Sequence, residues 1–100
     1  MEFQVYRYRF AESLDIAEVR ATVTLSLLAT ESLHGESRVR LESKHEFDND
    51  NRTCTIDCNG DVGRDLNRLL LGFISREFGR DSFQVERLAT FESAAATTAA

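Results

Sequence analysis

The pattern of hydrophobic and polar positions in the first half of the chain predicts a strand, a helix and a second strand. Phe3–Phe10 alternates with a period of two and is rich in aromatic and β-branched residues, as strands are. Apolar residues then recur at helical spacing over Ile16–Leu33, and Gly35 supplies the stop. From Ser37 to Phe47 the alternation returns, which predicts a second strand.

The second half repeats this series. A strand is predicted at Thr53–Cys58, a helix at Val62–Phe78 that ends at Gly79, and a last strand at Ser82–Leu88. The polar run Asp48–Asn51 between the second and third strands has the composition of a turn. The order β-α-β-β-α-β is that of a ferredoxin-like α+β sandwich, in which a four-stranded antiparallel sheet carries two helices on one face. Many unrelated functions use that fold, so the order alone assigns no chemistry.

The first predicted helix contains an ambiguous segment, Thr22–Leu27, whose β-branched residues also suit a strand. Asp15 followed three residues later by Glu18 forms a capping box, which is the sequence signature of a helix start. This start, the length of the periodic segment and the Gly35 stop favour a helix. In the second helix Gly72 interrupts the apolar stripe, which predicts close approach of the sheet or of the other helix at that position.

The two faces of the predicted sheet differ in chemistry. The even-numbered positions of the first strand carry Tyr6, Tyr8 and Phe10. We place them toward the helices, because burying the unpaired guanidinium groups of Arg7 and Arg9 would be costly. The opposite face is then bare and mixed in charge, and we expect its arginines to pair with acidic residues across strands or across an interface. Its candidate interaction residues are Arg7, Arg9, Arg38, Arg40, Glu42, Asp57 and Glu86.

Composition narrows the functional classes. The chain has 100 residues, of which 42% are hydrophobic and 29% charged, as in an ordinary globular domain. Its formal charge of −5 argues against broad electrostatic attraction to nucleic acid or to an anionic membrane. We predict one domain over residues 1–91 and a disordered tail over residues 92–100. No secretion signal or membrane-spanning run is evident, so we expect a cytoplasmic protein.

Cys54 and Cys58 fall on the third predicted strand. Residues four apart on a strand lie about 13 Å apart, which exceeds the roughly 7 Å between Cα atoms that a disulfide allows. Thr55 and Ile56 between them favour the strand over a helix that could chelate a metal. We therefore expect two reduced thiols in the core, and no metal or other cofactor.

No constellation of residues in the sequence indicates catalysis. Glu31, Ser32 and His34 cluster at the end of the first helix, but residues two apart on a helix do not face each other. His34 and His45 do not stand at metal-ligand spacing from the cysteines. Base stacking on the sheet, as in RNA-recognition motifs, needs outward aromatic residues on both central strands, and the third strand has none.

These observations favour a non-enzymatic protein-interaction or assembly domain that self-associates through its open sheet face, as a homodimer or within a larger assembly. A partner would cover apolar surface that so short a chain cannot bury by itself. The alternative is a small-molecule-binding or enzymatic dimeric α+β domain, with a pocket between sheet and helices. A nucleic-acid-binding module is third, and the expected partner is protein rather than nucleic acid or membrane.

Overall fold

A computed structural model gives the structure of the protein, and residues 4–91 are described. Within these residues the strands and helices follow in the order β1 (Val5–Phe10), α1 (Ile16–His34), α2 (Glu36–Glu42), β2 (His45–Asp48), β3 (Thr53–Asp57), α3 (Asp61–Phe78) and β4 (Phe83–Leu88). A single turn of 3-10 helix at Arg80–Ser82 leads from α3 into β4. The predicted disordered tail, residues 92–100, lies outside the described residues, as does Phe3 at the start of the predicted first strand.

The strands form one four-stranded antiparallel sheet in the order β2-β3-β1-β4. β1 has an inner position, where Tyr8 pairs with Cys54 of β3 on one side and with Val85 of β4 on the other. β2 is an edge strand, with Phe47 opposite Cys54. The described part of the chain therefore has an α+β fold with a four-stranded antiparallel sheet and three helices, one helix more than the sequence predicts.

The hydrophobic core lies between one face of this sheet and the helices α1 and α3. Its buried members are Tyr8 and Phe10 of β1, Cys54 and Ile56 of β3 with Cys58 just after it, Val19 and Val23 of α1, and Leu66, Leu70 and Ile74 of α3. Successive side chains of a strand point to opposite faces. The even-numbered aromatic side chains of β1 therefore face the helices, as predicted, and Arg7 and Arg9 lie on the opposite face.

Helix α1 begins and ends where the sequence indicates. The Asp15 carboxylate accepts a hydrogen bond of 2.9 Å from the backbone N–H of Ala17, which satisfies a donor of the first turn. At the other end Gly35 adopts a φ of 90°, a conformation that favours glycine. The ambiguous segment Thr22–Leu27 lies inside this helix, so the prediction of a helix there is confirmed.

The predicted strand at Ser37–Phe47 is wrong over most of its length. Glu36–Glu42 forms α2, and the strand is confined to His45–Asp48. The alternation placed Val39 and Leu41 on one face, but positions two apart on a helix point about 200° away from each other. Val39 is accordingly 2% exposed and Leu41 is 86% exposed.

Side-chain pairing explains why this short segment is helical. Arg38 and Glu42 are joined by a contact of 2.7 Å, and Arg40 and Glu36 by one of 2.8 Å. Both pairs are four residues apart, the spacing that brings side chains together on a helix. Arginine, leucine and glutamate are also good helix formers. The alternation assigns the charged residues around Val39 to one face of a strand. Their side-chain pairs instead stabilise a helix.

The glycine at which two elements approach closely is Gly63 rather than Gly72. An added Cβ at Gly72 would have no heavy atom within 4 Å, so the predicted close approach at Gly72 is wrong. An added Cβ at Gly63, in the first turn of α3, would clash with the backbone of Asp57 at the end of β3. The absence of a side chain at Gly63 lets α3 start directly against the sheet.

Candidate functional site

The sheet face away from the helices carries a three-residue charge cluster. The Arg7 guanidinium lies across the strands from Glu86, with Nη2 and Nε each 2.6 Å from the carboxylate oxygen Oε1. The Nε atom of Arg9 lies 3.2 Å from the same oxygen. The predicted pairing of these arginines with an acid across strands is confirmed. Hydrogen bonding to the Arg7 guanidinium lowers the pKa of Glu86 below its ordinary value.

This face is not bare. Arg7 is only 6% exposed, and Val5, Thr53 and Thr55 on the same face are buried too. The prediction of an open face is wrong at these positions. Lys44, just before the edge strand β2, has its Nζ 4.9 Å from the centroid of the Phe91 ring, three residues after β4. Because β2 and β4 are opposite edges of the sheet, the chain after β4 turns across the sheet toward β2.

The other members of the predicted interaction face lie elsewhere or are engaged locally. Arg38, Arg40 and Glu42 stand on α2, so their predicted position on the sheet is wrong. Asp57 is at the end of β3, where its carboxylate accepts hydrogen bonds of 2.9 and 2.7 Å from the backbone N–H and the side-chain amide of Asn59. It therefore shapes the turn into α3. The structure brings Arg7, Arg9 and Glu86 together and leaves the other four predicted residues apart from them.

Arg38 belongs instead to a polar network that joins the three helices. Its Nη2 atom lies 2.8 Å from the Asp61 carboxylate in the first turn of α3, in addition to the pairing with Glu42. The Arg38 guanidinium is the main reason that the pKa of Asp61 is lowered. His34, the last residue of α1, places Nε2 2.8 Å from Asp65 and Nδ1 3.1 Å from Arg38.

Both ring nitrogens of His34 are therefore engaged by neighbouring side chains. A histidine that acts as a base or binds a metal needs one nitrogen directed at the substrate or the ion. These contacts of His34 instead link the end of α1 to α2 and to the start of α3. Sequence reasoning missed this network because its members come from three helices, one of which was not predicted.

The buried thiols and phenol are held in their neutral forms. Cys54 and Cys58 are free and buried, which confirms the predicted core location. Burial raises the pKa of each thiol to about 12, so the thiolate needed for nucleophilic attack is scarce at neutral pH. The Tyr8 hydroxyl donates a hydrogen bond of 2.6 Å to Oδ1 of Asn67, and burial raises the pKa of Tyr8 as well. All three groups belong to the packed hydrophobic core.

The outer face of α1 is apolar. Leu25 and Leu28 are 52% and 54% exposed. The side facing the core has Ser26 and Thr30, which are buried and donate their hydroxyl hydrogens to backbone carbonyl groups one turn earlier. Small hydroxyl side chains are thus buried on the inner side of α1 along with Val19 and Val23, while Leu25 and Leu28 face outward. The sequence did not indicate the exposure of Leu28, because Leu27 and Leu28 continue the apolar stripe of the predicted helix.

The outer face of α3 is basic. Arg68, Arg76 and Arg80 line a shallow groove of about 420 Å³, together with Leu71, Gly72 and Ser75. Arg68 and Arg76 lie on α3, eight residues apart, and Arg80 is the first residue of the 3-10 turn that follows the helix. The apolar stripe on the opposite side of α3 is the stronger pattern in the sequence, so the sequence did not indicate this groove.

Two further observations concern residues 4–91 only. Among them no group of three or more histidine, cysteine, aspartate or glutamate side chains is placed to hold a metal ion. None of the helices in this range combines the length and the apolar character that crossing a bilayer requires.

Comparison of the chain with models of known protein families, with curated proteins and with solved structures finds no match.

Proposed function

We propose that this chain is a non-enzymatic protein-interaction domain that self-associates through the outer face of α1. The observation that carries the proposal is the exposure of Leu25 and Leu28, each more than half accessible on a helix whose other side packs in the core. Contiguous exposed apolar side chains on a small domain are typical of a contact surface. We also propose that the fold is a ferredoxin-like sandwich with α2 inserted, which the strand order β2-β3-β1-β4 supports.

The outer face of α1 is uncharged from Ala21 to Ser32, and the exposed Glu18 precedes this stretch on the same face. Ala21, Thr24, Leu25, Leu28 and Ser32 are exposed there at spacings of three or four residues. At a rise of about 1.5 Å per residue, the stretch from residue 21 to residue 32 is about 17 Å long. An uncharged strip centred on Leu25 and Leu28 suits a second copy of the same helix, because a charge close to the two-fold axis would face its own copy.

The flanking charges also suit a second copy. Arg20 and Glu31 are eleven residues apart, which is three helical turns, so they lie on the same flank of α1. When two copies of α1 pack antiparallel about an axis between Leu25 and Leu28, the Arg20 side chain of one copy comes beside Glu31 of the other. Opposite charges at the rim favour this register over a shifted or parallel one.

The alternative functions receive less support from the described residues. A pocket between sheet and helices would need space where Tyr8, Leu66 and Leu70 are packed and fully buried. Contact through the sheet face stays a prediction, and the burial of Arg7 and Thr55 leaves less of that face accessible than the sequence suggested.

Sedimentation equilibrium over a range of protein concentrations tests the proposal. We expect the mass of the wild-type chain to rise with concentration toward that of a dimer. Leu25→Lys and Leu28→Lys should remain monomeric, because lysine is as good a helix former as leucine but places like charges at the two-fold axis. Leu41→Lys is the matched control, since Leu41 is also exposed but lies on α2.

A charge exchange tests the register. Arg20→Glu should weaken the dimer by placing two glutamates at each end of the interface, and adding Glu31→Arg should restore it. Thermal melts establish that each variant is folded. A wild-type chain that stays monomeric at every concentration, or a Leu41→Lys variant as defective as Leu25→Lys, would contradict the proposal.

A further inference from the structure

The basic groove on α3 is a second surface with its own chemistry. It is lined by Arg68, Leu71, Gly72, Ser75, Arg76 and Arg80 and lies opposite the buried Leu70 and Ile74 of the same helix. The groove has a volume of about 420 Å³ and is shallow and open to solvent. The lining contains three arginines and no acidic residue.

These arginines are poorly neutralised by the rest of the molecule. Arg68 has a 77% exposed side chain, and its nearest acidic contact is Asp65, 3.7 Å away. Within residues 4–91, no ion pair joins Arg76 or Arg80 to an acidic side chain. The chain as a whole carries a formal charge of −5, so this groove concentrates positive charge on an otherwise acidic molecule. Three arginines with no acidic residue in the lining make the local field of the groove attractive to an anion.

The groove has open space next to its arginine side chains. Gly72 carries no side chain, and the position where a Cβ would stand has no heavy atom within 4 Å. The Ser75 side chain adds a hydroxyl donor. Leu71, which is partly exposed beside them, offers an apolar wall. A ligand could thus place an anionic group among the arginines and a less polar part against Leu71.

We propose that this groove binds a small ligand through an oligophosphate group. The planar guanidinium group matches two oxygens of a phosphate or a carboxylate at once. Three arginines around one opening match a group with several negative charges better than a single carboxylate. The groove lies on α3, away from the α1 surface proposed for self-association, so the two proposals stand independently.

Calorimetric titration with inorganic triphosphate, with pyrophosphate and with sulfate at matched ionic strength tests this proposal. We expect saturable binding that is tightest for triphosphate. The double variant Arg76→Gln/Arg80→Gln should weaken triphosphate binding at least about tenfold, since hydrogen bonds between charged groups are lost. Arg40→Gln, which removes an exposed arginine on α2, is the matched control and should change the affinity by less than about twofold.

Two controls separate the loss of the binding site from a loss of folding or of charge. Arg76 and Arg80 lie at the end of a helix, where cations stabilise the fold, so thermal melts of the double variant must show a folded protein under the titration conditions. Arg76→Lys/Arg80→Lys keeps the charge but removes the paired donors, and it should bind triphosphate more weakly than the wild type. Equal affinity for sulfate and triphosphate, no saturable binding of triphosphate, or an equal loss of affinity in Arg40→Gln would overturn the proposal.

Discussion

Gly63 lies against the backbone carbonyl of Asp57. A Cβ at position 63 would clash with the Asp57 carbonyl oxygen and stand 3.0 Å from the carbonyl carbon. The neighbouring atoms belong to the backbone at the end of β3, so no side chain can rotate to relieve the contact. The first turn of α3 therefore sits against the sheet only because residue 63 is glycine.

Gly63→Ala should destabilise the protein strongly, because α3 must move away from β3 to make room for the methyl group. Overpacking in a well-packed interior typically costs about 1–3 kcal/mol, and we expect at least the upper part of that range. Urea denaturation monitored by circular dichroism measures the change in the free energy of unfolding. A Gly63→Ala protein as stable as the wild type would mean that α3 stands farther from β3 than this contact requires.

Gly72→Ala should have the opposite effect. Gly72 is exposed in the interior of α3, and an added Cβ there meets no atom within 4 Å. Replacing glycine by alanine at such a position removes backbone freedom from the unfolded chain and stabilises by about 0.5–1 kcal/mol. The same denaturation experiment measures the gain, and the two glycine variants control for each other because both add one methyl group to α3. A loss of stability would show that Gly72 has a contact partner.

The Arg7–Glu86 pair should make stability depend on pH. The folded-state pKa of Glu86 is lowered, chiefly by hydrogen bonding to Arg7, so the stabilisation is present above the ordinary glutamate pKa and is lost as pH falls through the folded value. Glu86→Gln should therefore be less stable than the wild type at neutral pH, where it leaves the buried Arg7 without its carboxylate. When the free energy of unfolding is measured against pH, the values for Glu86→Gln and for the wild type should converge in acid. Parallel curves across the whole range would contradict the assignment.

Arg9→Glu distinguishes the sheet face from α1 as the contact surface. The Arg9 side chain is half exposed, and an exposed ion pair contributes at most about 1 kcal/mol, so we expect only a small fall in melting temperature. We expect no change in oligomer mass, because the proposed contact lies on α1. A variant that is folded but dissociated would assign self-association to the sheet face instead. A steep fall in melting temperature would mean that Arg9 is held more tightly than its exposure indicates.

The two cysteines should react slowly in the native protein. Both are buried, and burial raises the pKa of each thiol to about 12, so both access and thiolate concentration limit the reaction. A thiol reagent should label them quickly in denaturant and at a rate limited by opening of the core under native conditions. Rapid native labelling of both would show that the core around β3 opens readily.

Features fixed by a few neighbouring residues were predictable from the sequence. Asp15 and Gly35 bound α1 because capping and a left-handed stop are local properties. The face of β1 that enters the core followed from alternation, combined with the cost of burying unpaired arginines. The alternation failed at α2 because Val39 and Leu41 fit a strand pattern while the charged residues around them pair at helical spacing.

The sequence by itself determined the order of most elements and the inward faces of β1 and α3, since periodicity and caps act over a few residues. Only the tertiary structure decided whether each side chain is exposed or buried. Arg7 is buried and paired, Leu25 and Leu28 face outward, and Arg68 and Arg76 share an open groove. The physical reason is that burial and the local electric field depend on neighbours that are distant in the chain, and these are brought together only when the elements pack.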